Sequence, residues 1–151
     1  MRLMRGATGF RASTEPPLPL VDVGLLRGLC FDAARVEHAR VGPWREAGTC
    51  TFHSVSIASQ LASCVALFHA HLPLVAFAVT PPSPGQPIVG FADPPSWAGT
   101  FEAGGLRLLG PLTLDRSIAD VDLGGLSCAE LDQVSYWRPR SLGDLLFNWW
   151  D

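Results

Sequence analysis

Residues 72–79, LPLVAFAV, are apolar at every position. A β-strand points successive side chains to opposite faces of its sheet, so a strand of this composition needs cover on both sides. The run is far shorter than the roughly 20 residues that span a bilayer as a helix. It predicts a central strand over 73–79 buried between two layers, around which the rest of the chain has to be arranged.

The flanking segments supply those layers. TPPSPGQP at 80–87 reads as a rigid connector and PIVGFAD as a second strand over 88–92. Upstream, CTFHS at 50–54 reads as a strand. From Val55 the apolar positions Ile57, Leu61, Cys64 or Val65, and Phe68 recur at helical spacing, with Ser54 or Ser56 as N-cap; this predicts a buried helix over 55–70, stopped by Pro73. Residues 20–31 read as a short strand or one poor helix, because Gly24 and Gly28 lower helix propensity. Residues 34–44 read as extended, turning at Gly42 and Pro43. Further on, 93–105 is loop or a broken helix, 105–114 a third strand interrupted by Gly110 and Pro111, and 115–126 an acidic surface segment.

Helix starts are clearest in the last third. Ser127 followed by Glu130 matches the capping box, in which serine oxygen and carboxylate satisfy each other's free amides. A helix near 128–136 follows, broken at Arg138 and Pro139, and Ser141 with Asp144 starts a terminal helix from Leu142. Residues 1–18 mix Arg, Gly, Ser and Pro and predict a flexible N-terminal arm. The expectation is one globular α+β domain over 19–151: a small, mostly antiparallel sheet, packed by a central helix and closed by a C-terminal helix.

Composition narrows the function. A chain of 151 residues with 48% hydrophobic side chains builds one sizeable core without staples. All 11 cations are arginine, in keeping with a high-GC, bacterial codon bias, and the net charge of −3 disfavours a nucleic-acid or anionic-membrane binder. Cys30, Cys50, Cys64 and Cys128 form no CxxC pair and read as reduced, partly buried thiols. The first residues carry no apolar stretch of a secretory leader, so the expected location is the cytoplasm.

Two candidate sites emerge. The first is Cys50, His53, His69 and His71, whose thiolate and imidazole types suit zinc if they converge. Within it, Cys50 and His53 are the alternative catalytic pair, a thiol activated at a helix start. Against this, the spacing matches no zinc motif, no histidine follows His71, and GxSxG, P-loop, HExxH and GxGxxG signatures are absent, as is lysine. Asp115, Asp120 and Asp122 read as a solvated loop. No cofactor is expected.

The second candidate is the C-terminal SLGDLLFNWWD. On a helix Leu142, Leu145, Leu146 and Trp149 form one apolar stripe, and Trp149 alone brings roughly 4–6 kcal/mol of burial. Phe147 and Trp150 leave that stripe, since neighbouring helical residues point ~100° apart. Either a deep groove covers them or they form an apolar edge for a partner. Asp151 and the terminal carboxylate predict a compensating arginine, Arg138 or Arg140. The expected partner-binding set is Trp137, Arg138, Arg140, Phe147, Trp150 and Asp151, on a non-enzymatic interaction or accessory protein resembling small bacterial immunity or inhibitor proteins in size and acidity. Its partner would be another protein or a second copy, with neither nucleic acid nor membrane involved.

Overall fold

A computed structural model describes residues 2–150. The chain is a single α+β domain. In chain order its elements are α1 (Val23–Glu37), β1 (Arg40–Val41), β2 (Phe52–Ala58), β3 (Ser63–His69), β4 (Leu74–Ala78), β5 (Phe91–Ala92), α2 (Gly99–Ala103), β6 (Arg107–Leu109), α3 (Pro111–Leu114), a 3-10 turn (Ile118–Asp120), α4 (Cys128–Trp137) and α5 (Leu142–Leu146). Strands β1 to β4 pair antiparallel in sequence order. The outer edge of β4 is shared: β6 pairs parallel with Leu74–Ala76, and β5 antiparallel with Phe77–Ala78.

β4 is the two-sided strand its composition demands. Leu74, Ala76 and Ala78 point into one core, and Val75 and Phe77 into another. The first core is built from the N-terminal residues Leu3 and Ala7, from α3, and from Leu142, Leu145, Leu146 and Phe147. The second lies beneath α1 and α2, with Leu26, Leu29, Cys30, Ala33 and Phe101 against Ile57, Phe68 and Phe77.

The helix expected over 55–70 is a β-hairpin. Phe52 to Ala58 pair with Ser63 to His69, and the turn between them is closed by Ser59 and Ala62. Leu61, the residue that would have anchored a helix, is 97% exposed at the hairpin tip. The misreading has a physical cause. In β3 both faces are buried, so the period-2 signal vanishes and an accidental helical spacing takes its place.

The central helix is instead α1, which includes 34–37 of the stretch expected to be extended. Asp22 caps it by accepting from Leu25 N, and its buried stripe of Leu26, Leu29, Cys30, Ala33 and Ala34 has regular helical spacing. Gly28 has open space around it, so that glycine lowers propensity without affecting packing. In the interrupted third strand, Gly110 and Pro111 end β6 and start α3, with proline in the first turn where its missing N–H costs nothing.

The first residues are not a loose arm. Leu3 and Ala7 are buried in the first core, and Leu3 N donates to Asp122 O. A Cβ on Gly125 would collide with the Leu3 carbonyl, so the two backbones approach as only glycine permits. Fully buried Glu130 holds this segment: its carboxylate accepts from Gly6 N (3.1 Å), Thr8 N (3.1 Å) and Thr8 Oγ1 (2.7 Å) while completing the capping box with Ser127. Only 11–20 is mostly exposed. No helix among the described residues is long and apolar enough to cross a membrane.

Candidate functional site

The hairpin register separates the Cys/His candidates. Phe52 faces His69 across the strands and His53 faces Phe68, so His53 and His69 project from opposite faces of the sheet. Among the described residues no group of three or more His, Cys, Asp or Glu side chains is placed to hold a metal ion.

Each member also has a local task. His69 is fully buried; its Nδ1 accepts from the amides of His71 and Leu72, so the proton sits on Nε2, which donates to Ala7 O at 2.9 Å. Burial pushes its pKa down to about 4, and the ring is a neutral tie between β3 and the N-terminal segment. His71 lies 5.9 Å from it, ring to ring, and donates from Nδ1 to Pro19 O. His53 Nδ1 accepts from Ala47 N, its ring stacks on Trp44, and burial lowers its pKa. Cys50 precedes a strand rather than a helix, so no helix dipole acts on it; burial raises its pKa, and its thiol faces the carbonyls of Ala47 (3.0 Å) and Phe52 (3.2 Å). These are the features of structural side chains. Cys30, Cys50, Cys64 and Cys128 are all unpaired thiols.

The C-terminal candidates do converge. The chain leaves α4 at Arg138, which adopts a left-handed φ of 51°, and Pro139 prevents the helix from continuing. It then enters the short α5, where Ser141 accepts from Asp144 N and Asp144 in turn accepts from Arg140 N. The helix ends at Leu146, earlier than the stripe through Trp149 requires. Phe147 is 2% exposed, with its ring against Phe52, His69 and Phe91. Its ring belongs to the core and does not form an exposed apolar edge.

Beyond Phe147 the chain has no regular secondary structure, and Trp149 and Trp150 pack on different partners. Trp149 packs edge-on against Phe52 and its indole N–H is buried without a partner. Trp150 returns to α4 and lies parallel to Trp137, at 5° between planes and 6.0 Å between centroids. Tyr136 meets Trp137 edge-on at 5.2 Å. Trp137 is 40% and Tyr136 76% exposed.

Trp137, Trp149 and Trp150 line an open groove of about 510 Å³, the size range of small ligand sites. One wall is Trp137 to Arg140, the other is Gly85, Gln86 and Pro87 of the proline-rich loop, and Phe147 to Trp150 form the base. Both arginines are exposed, and among the described residues neither forms an ion pair. Asp151, with its expected arginine partner, lies outside the described residues. The loop wall is a feature the sequence did not reveal, since only tertiary contact brings 85–87 beside 137–150.

Comparison with protein-family models, with curated proteins and with solved structures finds no match to the chain.

Proposed function

We propose that the protein is a non-enzymatic interaction or accessory protein, of the small immunity or inhibitor type, that receives a protein partner at the Trp137–Trp150 groove. One observation carries the reading: a parallel tryptophan pair, Trp137 exposed and Trp150 partly buried, continued by exposed Tyr136 and flanked by two exposed arginines, lines an open groove. Trp, Tyr and Arg are the side chains enriched among the residues that dominate protein-interface energetics, the two aromatics because they bury large area while losing little rotamer freedom and arginine through its planar fork of donors. Two arginines on a chain of net charge −3 are too few for a phosphate backbone. The Cys/His alternative gains no support, since its four residues are divided by the sheet and occupied by backbone partners.

The test is affinity capture with three forms of the purified protein, followed by reconstitution from purified components. A partner retained by wild type and by Cys50→Ala, but lost on Trp137→Ala with Trp150→Ala, supports the reading; sedimentation at two concentrations shows whether that partner is a second copy. Retention by the double tryptophan variant counts against the groove. Selective alkylation of Cys50 at neutral pH, or stoichiometric metal lost on His69→Ala, would favour the Cys/His alternative.

A further inference from the structure

The two stacked tryptophans sit on separate parts of the chain, Trp137 at the end of α4 and Trp150 in the irregular segment after α5. What holds those parts in register is not a contact between them alone. Thr8 touches both. Its amide and hydroxyl donate to Glu130 on α4 at 3.1 and 2.7 Å, and its carbonyl accepts from Asn148 Nδ2 at 3.1 Å. Asn148 Oδ1 then accepts from Trp150 N at 3.1 Å. Glu130, Thr8 and Asn148 are each at most 3% exposed, so water does not substitute for these bonds. The Asn148 backbone is separately fixed by Thr51, through Asn148 N to Thr51 Oγ1 and Thr51 N to Asn148 O. Its side chain has three partners: Leu145 O within α5, Thr8 and Trp150.

We propose that Thr8 and Asn148 are positioning residues for the groove: the N-terminal segment ties the helix bearing Trp137 to the side chain that holds Trp150. Docking of residues 6–8 and formation of the tryptophan stack are then one coupled event. Any process that lifts the N-terminal segment opens the groove without touching either ring. The coupling is a property of the free protein and stands independently of what binds there.

Circular dichroism tests it without a partner, because two stacked indoles couple their ultraviolet transitions into a pair of bands of opposite sign. Trp137 and Trp150 are the one tryptophan–tryptophan ring pair among the described residues, so Trp137→Phe should abolish the couplet and assign it. Asn148→Ala is expected to lose most of the couplet while keeping its far-ultraviolet helix signal. Thr8→Val, which removes only the hydroxyl, should weaken it, and Thr8→Ser should restore it. Leu26→Ala, on the opposite face of the sheet, should lower the thermal midpoint yet leave the couplet intact. The proposal is overturned if the couplet survives in both Asn148→Ala and Thr8→Val, or if Leu26→Ala loses it as fully as they do. Should Asn148→Ala fail to fold, the Thr8→Val and Thr8→Ser pair decides alone: an unchanged couplet in Thr8→Val overturns the proposal.

Discussion

The two ends of the chain share one face of the sheet, and they are held there by different physics. Residues 3–8 are bound through their backbone, by the carboxylate of Glu130, the Nε2 proton of His69 and the amide of Asn148, all buried. Residues 147–150 are bound mainly through rings: Phe147 and Trp149 against Phe52, and Trp150 against Trp137. A buried hydrogen bond uses up its donor and acceptor, whereas a stacked ring still offers its other face. The hydrogen-bonded end is therefore fixed by directional bonds, and the ring-bound end by ring packing, with Trp137 still partly open to solvent.

The largest effect that separates the ends should come from Glu130. Glu130→Ala leaves the Gly6, Thr8 and Ser127 donors without an acceptor in a dry site, and the expected loss is about 3–5 kcal/mol in urea unfolding. Amide exchange at Gly6 and Thr8 should accelerate before exchange in β3 does. If stability falls by less than 1 kcal/mol, roughly the cost of one surface change, Glu130 is not the anchor described.

Next in size is the acid response of the same end. His69 titrates at about 4 when folded, against an ordinary 6.5, so the unfolded chain takes up the proton first. Stability is full above pH 6.5 and is lost as pH falls toward 4, by about 3 kcal/mol over that window. Urea midpoints measured at pH 7, 5.5 and 4 check this, and His69→Gln should flatten that part of the profile. A wild-type curve as flat as the variant's would contradict the neutral tie.

The ring-bound end predicts unequal losses from neighbouring tryptophans. Trp149→Ala, which empties a site against Phe52, should cost about 2–3 kcal/mol, and Trp150→Ala about 1 kcal/mol. Binding should reverse that order, with Trp150→Ala removing at least ~2 kcal/mol of affinity, as interface anchors do. Equal effects of the two on stability would dissolve the distinction between core ring and surface ring.

The smallest effect concerns Arg138. It holds a left-handed conformation that costs an L-residue ~1 kcal/mol and that glycine adopts freely, so Arg138→Gly should raise stability by up to about 1 kcal/mol. The same change should weaken partner binding. Stabilisation without loss of binding would leave the arginine with no role at the groove.

Much of this was legible in the residues, for identifiable reasons. The capping box at Ser127 and Glu130 is local chemistry, and α4 begins where it says. The two-sided strand at 74–78 follows from composition alone. The hairpin of β2 and β3 was legible only at its start, the strand read at 50–54; in β3, burial on both faces removes the alternation that identifies a strand. Nor was the second role of Glu130 legible, since a capping carboxylate looks the same whether its remaining lone pairs face water or the amides of Gly6 and Thr8. The aromatic and arginine members of the groove were legible as types, but the burial of Phe147 beneath it was not, because its exposure depends on where α5 stops.

The sequence by itself determined that the strand over 74–78 must be buried on both faces, that a helix starts at Ser127, and that aromatic residues interleave with arginine within 136–150. Those properties belong to single residues and their neighbours a few positions away. Only the tertiary structure decided that His53 and His69 face apart, that Leu3 and Ala7 are part of the core, and that Trp137 and Trp150 lie parallel. The meeting of the N-terminal segment with Glu130 and Asn148 is set by contacts across more than a hundred residues, and no local pattern encodes a distance of that kind.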